Sequence, residues 1–239
     1  MSTVLSLVSA ATNSGAANVY HAGGRDKACR FGQYFSRLLV YLISQRMSAR
    51  GKTPASIEWM ATFAKTQAAM ATTRKMMRSG KFIDFLQLFM RSLKNKGEDE
   101  LVHLLGLFHK ASMFVFMAAD TLGLMGSTLT LVRLRDPANV TRVGQRGWLL
   151  AIVCQLISAA YQLHNISVRE ADLRRVRMHV EKAADVMGDR ECALVASALD
   201  LVIPAKGLGL LNINEGLVAL AGTVTSLMGI QDVVSKVSY

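Results

Sequence analysis

The sequence predicts an all-α membrane protein, in which a basic amphipathic helical domain precedes a membrane-embedded helical part. The first observation is composition: of 239 residues, 51% are hydrophobic and 19% are charged, and the mean hydropathy is +0.27. Soluble domains carry roughly 25% charged residues, so this balance favours a membrane protein. The second observation is that only three prolines interrupt a chain rich in helix-forming residues. The third is the uneven distribution of a net charge of +11.

The positive charge is concentrated ahead of the longest apolar stretches. Residues 1–103 hold 15 Lys and Arg against 6 Asp and Glu, whereas residues 104–239 hold 13 against 11. A basic half followed by an apolar half suits a protein that touches an anionic membrane surface with one part and enters the bilayer with the other. A nucleic-acid binder is disfavoured, because the basic residues lack the aromatic or helix-turn-helix patterns of such proteins. We predict a cytosol-facing domain over residues 1–97 and a membrane-embedded domain over residues 98–239.

The first predicted helix follows the pair Gly23 and Gly24. Apolar residues recur there at steps of three and four, the pattern of a helix with one apolar face: Phe31, Tyr34, Phe35, Leu38, Leu39 and Leu42. This helix is expected to end before Pro54, and Thr53 or Ser56 is expected to cap the next one.

Residues 71–94 have the composition of a helix that lies on a membrane surface. Four basic residues surround Gly80, where a bend is expected: Arg74, Lys75, Arg78 and Lys81. The residues that follow place large apolar side chains on one face: Phe82, Phe85, Leu86 and Phe89. A basic helix with Phe and Leu on one side is typical of interfacial membrane binding. The alternative is that this face packs against the preceding helix in a bundle, and the sequence leaves both interpretations open.

Two apolar stretches are candidate membrane spans, residues 111–132 and residues 216–231. The first is long enough for a bilayer and contains Asp120 as its one formal charge. Because an acid in mid-span is costly unless it faces protein or water, Asp120 is expected either to contact a neighbouring helix or to line a pore. The second stretch contains small residues that allow close helix packing, within one copy of the chain or between copies: Gly222, Ser226 and Gly229.

Three elements are predicted between these stretches. Residues 133–147, with four arginines, are predicted to be a polar loop. An apolar helix over residues 148–163 begins at Trp148, contains Gln155 and is short for a span. Residues 167–192 hold six basic and six acidic side chains and are predicted to form a solvated helix.

Catalytic and metal-binding patterns are absent from the sequence. The three cysteines are far apart and form no pair typical of a zinc site or a disulfide framework. His103 and His109 are six residues apart, which does not place them on one helix face as metal ligands. Phosphate-binding, dinucleotide-binding and hydrolase motifs do not occur. We therefore expect neither an enzyme nor a cofactor or metal site.

Five stretches, in chain order, carry a resemblance to a known family. They are Arg25-Asp26-Lys27 with Arg30, Gln33 and Tyr34; Arg74 to Phe82; Asp120 in its apolar helix; Arg146-Gly147-Trp148; and Asp200 to Pro204 followed by Gly222, Ser226 and Gly229. Together they resemble the peroxin-11 family of peroxisomal membrane proteins, which includes the glycosomal membrane proteins of trypanosomatids. Thr225 stands where many members have Ser, and Glu215 interrupts the last apolar region.

This resemblance implies a multi-pass protein of the peroxisomal or glycosomal membrane, with two spans and both termini in the cytosol. It implies that the protein elongates and remodels this membrane before organelle division, through an amphipathic helix around residues 74–93 that inserts in one leaflet. The implied partners are an anionic phospholipid bilayer, further copies of the chain, and fission factors such as a tail-anchored adaptor and a dynamin-type GTPase. The alternative function is an oligomeric pore or solute channel, in which Asp120, Gln155 and Glu215 would face water.

Overall fold

The computed structural model describes residues 22–95, 99–173 and 180–235. Within these ranges every regular element is a helix, which confirms the predicted all-α class. The helices are α1 (Ala22–Arg50), α2 (Pro54–Arg78), α3 (Lys81–Lys94), α4 (Glu100–Gly123), α5 (Pro137–Leu173), α6 (Val180–Gly207) and α7 (Glu215–Ser235). A single π-helical turn, Leu124–Thr128, continues α4.

Local sequence signals determine where α2 begins and ends. The Ser56 N–H donates to Thr53 Oγ1 over 3.3 Å, and the Thr53 N–H donates to Ser56 Oγ over 3.1 Å. Both predicted caps therefore act together, with Pro54 at the first helical position, where a backbone N–H is not needed. At the other end Gly80 has a φ of +90°, which separates α2 from α3 and confirms the predicted bend.

The first apolar helix is shifted from its predicted limits of 111–132. α4 begins well before residue 111, and residues 129–136 form no regular element after the π-helical turn. The chain turns back here, and a Cβ atom at Gly126 would collide with the Leu134 side chain. Hydropathy does not detect such a turn, because apolar residues such as Leu131 extend the apolar run without extending the helix.

The middle apolar helix is much longer than predicted. The run over residues 148–163 lies inside α5, which begins at Pro137. Asp136 accepts a hydrogen bond from the Asn139 N–H over 3.1 Å and so caps the first turn. The loop predicted over residues 133–147 is therefore wrong from Pro137 onward, since its arginines interrupt the hydropathy but not the helix.

Among the described residues, three helices are long and apolar enough to cross a membrane: Glu100–Gly126, Pro137–Asn165 and Glu215–Val234. Two of them correspond to the predicted spans, and the third is α5. In their most apolar windows only 11%, 28% and 39% of the residues are buried within the protein. Each helix carries large apolar side chains that are exposed, such as Leu104, Leu150 and Leu217. Large outward apolar surfaces are what a lipid environment accommodates.

The helices pack into two units, each described by itself. The first contains α1, α2 as far as Met77, and α7; the second begins at Arg78 and contains α3 to α6. In the first unit α1 packs along α7; in the second, α4 packs against α3 and α5, and α5 packs against α6. The boundary predicted at residue 97 divides a cytosolic part from a membrane-embedded part. The two packing units are defined by contacts between helices, not by exposure to cytosol or lipid, so this boundary stays a prediction.

The core of the second unit lies where α4 and α5 approach closely. A Cβ atom at Gly147 would lie 3.0 Å from the Ser112 carbonyl oxygen, and one at Gly144 would lie 3.0 Å from Ala119 Cβ. Small residues at such positions let two helix backbones come together. Two glycines from the predicted loop are thus helix-packing residues.

The predicted solvated helix over residues 167–192 is described only in part. Residues 174–179 and the side chains of residues 166–190 lie outside the description, and the flanking backbone belongs to α5 and α6.

Candidate functional site

One edge of the apolar arc of α3 packs within the second unit. Phe82, Phe85 and Phe89 are half-buried, and the Phe82 ring meets the Phe114 ring of α4 edge-on, 6.3 Å between centroids. Bundle packing, which the sequence left open, therefore applies to the Phe side of α3. The partner is α4, the helix that follows α3.

The other edge of the arc is exposed. Large apolar side chains at steps of three and four form what we call the outer stripe: Ile83, Leu86, Met90 and Leu93. Their exposed fractions run from 42% to 53%, and none of the residues of α3 is buried. Of the predicted inserting side chains, Leu86 belongs to this stripe. Such a contiguous row of exposed apolar side chains marks a surface that contacts a membrane or another protein.

Charged groups of α3 lie in its first and last turns. Asp84 in the first turn and Arg91 and Lys94 in the last turn complement the helix dipole, and both basic side chains are exposed. Lys110 of α4 donates to Ser92 Oγ over 2.6 Å, which ties α3 to its neighbour. α3 therefore presents cations beside an apolar stripe, the arrangement of an interfacial helix.

Arg74 belongs to a buried polar network inside the first unit. Its Nε donates to Asp26 Oδ1 over 3.1 Å, and its Nη1 donates to Gln33 Oε1 over 2.8 Å. The residue is only 9% exposed, so the role at the membrane surface predicted for it does not fit. Lys75, beside it, and Lys81, at the start of α3, are half-exposed and keep that role as a prediction.

Arg78 and Asp120 form an ion pair in the second unit, 2.8 Å between the guanidinium and the carboxylate. The Arg78 guanidinium also lies over the Phe116 ring, 5.6 Å from its centroid, and Phe116 stacks on Trp148 at 5.4 Å. Both charged side chains are largely enclosed, with 15% and 13% of their surfaces exposed. Of the two alternatives for Asp120, this geometry supports the contact with a neighbouring helix.

α1 runs antiparallel to α7, whose small residues receive its larger side chains. Tyr34 packs onto Gly222, where a Cβ atom would collide with its ring. Lys27 lies at Gly229, where a Cβ atom would be 2.8 Å from Lys27 Cδ, and Ser226 is fully buried. The three positions predicted for close packing are therefore filled within one chain, and an oligomer contact through the same face would have to displace α1.

Two further polar contacts join α1 to α7. Arg30 donates from Nη2 to Thr225 Oγ1 over 3.2 Å and lies over the Tyr34 ring. Thr225 stands where many members of the resembled family have Ser, and its hydroxyl oxygen accepts this hydrogen bond. Arg37 pairs with Glu215, a contact that was not predicted from the sequence. Its signal was present, because each of the two charges interrupts an apolar pattern on its own helix.

Two further motif residues, Arg25 and Asp200, also make contacts within the protein. Arg25 is exposed at the start of α1, and Asp200 is half-buried in α6, one turn before the fully buried Pro204. Within the part of the chain that the structure describes, no group of three His, Cys, Asp or Glu residues is placed to hold a metal ion.

Comparison with known proteins places these features in context. The chain matches the family described as Peroxisomal biogenesis factor 11 over residues 18–234. It is 22% identical to Peroxisomal membrane protein PMP30A of Candida boidinii, over 89% of this chain and 90% of that protein. It is 22% identical to Peroxisomal biogenesis factor 11 of Schizosaccharomyces pombe, over 86% and 87% of the two chains. It is 26% identical to Peroxisomal membrane protein PMP27 of Saccharomyces cerevisiae, over 88% and 89%. No solved structure matches the chain significantly.

Proposed function

This chain belongs to the Peroxisomal biogenesis factor 11 family, and from that premise we propose that it remodels and elongates the peroxisomal membrane during organelle proliferation. The names of its relatives support a place in the peroxisomal membrane and a role in peroxisome biogenesis. Three long apolar helices with outward-facing side chains support membrane embedding. The finer proposal is that α3 enters one leaflet while the apolar helices anchor the chain.

The observation that carries this proposal is the exposed outer stripe of α3. Full burial of an apolar side chain of this size contributes about 1.5–3 kcal/mol. A Lys or Arg near an anionic surface contributes about 1 kcal/mol. The stripe therefore supplies most of the free energy of insertion, whereas Arg91 and Lys94 favour an anionic surface.

The length of α3 makes its insertion one-sided. Its 14 residues span about 21 Å at 1.5 Å per residue, less than the roughly 30 Å of the hydrocarbon core. A helix of this length occupies one leaflet and leaves the other unchanged. The leaflet that contains it expands, and the membrane curves toward that side.

The ion pair of Arg78 and Asp120 supports this role by position. Arg78 stands two residues before Gly80, where the chain bends into α3, and Asp120 lies in α4. The beginning of α3 is thereby held to a candidate span. Because α3 is attached in this way, it stays at a fixed distance from the candidate span in α4.

The experiment uses the full chain reconstituted into phosphatidylcholine vesicles with phosphatidylserine, and electron microscopy scores tubules. Leu86→Glu combined with Met90→Glu is expected to abolish tubulation, since two charges replace the centre of the outer stripe. Leu88→Glu is the control and is compared with Leu86→Glu alone, so that each variant adds one charge. Leu88 is 43% exposed against 42% for Leu86, but it lies two residues further on, on the opposite side of the helix. Equal tubulation by Leu86→Glu and the control would overturn the proposal.

No observation favours the pore alternative over remodelling. Of its three polar residues, Asp120 holds Arg78 and Glu215 holds Arg37, so both acids contribute to helix packing. Gln155 is exposed on α5. Planar-bilayer recording of the reconstituted chain is the deciding measurement, because a conductance reduced by Gln155→Leu would restore the channel interpretation.

The proposed activity also implies partners. An anionic bilayer follows from the charges of α3, and further copies of the chain would have to associate through surfaces other than the face of α7 that α1 fills. The tail-anchored adaptor, the dynamin-type GTPase, the cytosolic position of both termini and the glycosomal variant rest on the family resemblance.

A further inference from the structure

A groove of about 290 Å³ lies in the second unit, between α5 and the segment that follows α6. Its lining consists of Arg146, Leu149, Leu150, Val153, Leu208 and Leu210. We propose that this groove binds one anionic phospholipid of the surrounding bilayer, with an acyl chain against the apolar side chains and the phosphate at Arg146. The volume lies just below the range of small-molecule pockets, roughly 300–1,000 Å³, which favours one acyl chain over a whole compact ligand.

The order of side chains along α5 matches the order of groups in a phospholipid. Arg146 stands at the end of the polar first turns of the helix, immediately before its apolar part begins at Trp148. Leu149, Leu150 and Val153 follow at steps of three, four and seven from Arg146, which places them on the same face of the helix. The charged headgroup of a phospholipid would therefore contact Arg146, and its acyl chain would contact the apolar side chains that follow.

Arg146 is the arginine of the groove lining, and it is available for a ligand. The arginines of the two polar networks and of the α1–α7 contacts all donate to groups of the protein: Arg30, Arg37, Arg74 and Arg78. Arg146 is exposed and, among the described residues, makes no hydrogen bond or ion pair. A guanidinium offers paired donors that match a phosphate, so an unoccupied one at the mouth of an apolar groove is complementary to an anion on an apolar chain.

The side of the groove opposite α5 is formed by the end of α6 and the turn that follows it, which pack closely against α5. A Cβ atom at Gly207, the last residue of α6, would lie 2.7 Å from Gln145 Nε2 of α5. Gly209 has a φ of +73° and turns the chain between Leu208 and Leu210, both of which line the groove. The groove is therefore built by two helices and a turn rather than left between loosely placed side chains.

The test uses the full chain in phosphatidylcholine nanodiscs that contain a phosphatidic acid with a photoactivatable acyl chain. After irradiation, mass spectrometry is expected to find label on residues 149–153 and 208–210. Excess phosphatidic acid competes, whereas excess phosphatidylcholine does not. Arg146→Gln is expected to lower this labelling about tenfold, the effect of one lost charged hydrogen bond, and Arg135→Gln, an exposed arginine outside the groove, serves as the charge-matched control.

Several results would overturn the proposal. One is equal labelling by a photoactivatable phosphatidylcholine, and another is competition by glycerol phosphate or by a free fatty acid. Unchanged labelling in Arg146→Gln would also overturn the proposal. This variant alters only an exposed side chain, so it is expected to fold. Val153→Trp, which fills the groove, is expected to remove the label, and thermal unfolding of the same sample confirms that it is folded. Because α3 takes no part in the groove, tubulation and groove labelling fail independently.

Discussion

The guanidinium of Arg78 lies 2.8 Å from a carboxylate oxygen of Asp120, and this ion pair places the last residue of α2 against an otherwise uncharged turn of α4. An unpaired acid at that position would be costly in lipid or in a protein interior. The pair explains how a candidate span contains an acid, and it joins two motifs that are far apart in the sequence.

Removal of one member of this pair is expected to destabilise the second unit strongly. Asp120→Ala leaves the Arg78 guanidinium without its counter-charge and is expected to cost about 3–5 kcal/mol, measured as a lower thermal midpoint in detergent. The double variant Arg78→Met with Asp120→Leu is expected to recover most of the loss, since neither charge remains buried. A single variant as stable as the natural chain would contradict the structural role of the pair.

Gly222 is expected to tolerate no larger residue while Tyr34 is in place. Gly222→Ala forces a methyl group into the Tyr34 ring and is expected to cost about 1–3 kcal/mol. Gly123→Ala is the matched control, because a Cβ atom there meets nothing within 4 Å. In the control, alanine is expected to preserve or slightly raise stability. Equal thermal midpoints for the two variants would show that α1 does not pack on α7 as described.

Arg74→Gln and Arg91→Gln each remove one positive charge and are expected to change different properties. Arg74→Gln breaks the contacts with Asp26 and Gln33 and is expected to cost about 1–3 kcal/mol of stability, with little effect on tubulation of anionic vesicles. Arg91→Gln alters an exposed side chain and is expected to change stability by less than about 0.5 kcal/mol while it reduces tubulation. If Arg74→Gln instead reduced tubulation without a loss of stability, Arg74 would act at the membrane surface, as the sequence predicts.

Salt is expected to separate the electrostatic from the apolar contribution of α3. At 1 M ionic strength charges are screened beyond about 3 Å, so tubulation by the natural chain is expected to fall to the level of Arg91→Gln or below it. The defect of Leu86→Glu with Met90→Glu is expected to persist, because apolar burial does not depend on screening. Restoration of that variant by salt would mean that charge, not the outer stripe, governs insertion.

The class of the protein and several local features were predictable because they depend on neighbours in the sequence. Hydropathy and charge predicted an all-α membrane protein, and Gly80 separates two helices as its conformational freedom suggested. Thr53 and Ser56 cap α2 because their spacing brings side-chain oxygens to each other's backbone N–H groups. Each of these features involves atoms within one helical turn.

The partners of the polar side chains could not be predicted in the same way. Arg74 meets residues that lie 41 and 48 positions away, and no local pattern distinguishes a buried arginine from a lipid-facing one. For the same reason the outer stripe could not be separated from the Phe edge of α3, since both belong to one apolar arc. Only the position of α4 divides them.

The packing of α1 on α7 also has a consequence for biosynthesis. Arg30 and Thr225 are separated by 195 residues, so α1 leaves the ribosome long before its partner is translated. Until α7 emerges, Tyr34 and Arg30 lack the surface that covers them, and long-range contacts of this kind form slowly. Assembly of the first unit therefore waits for synthesis of α7, and a nascent chain that stalls earlier presents α1 to chaperones and proteases.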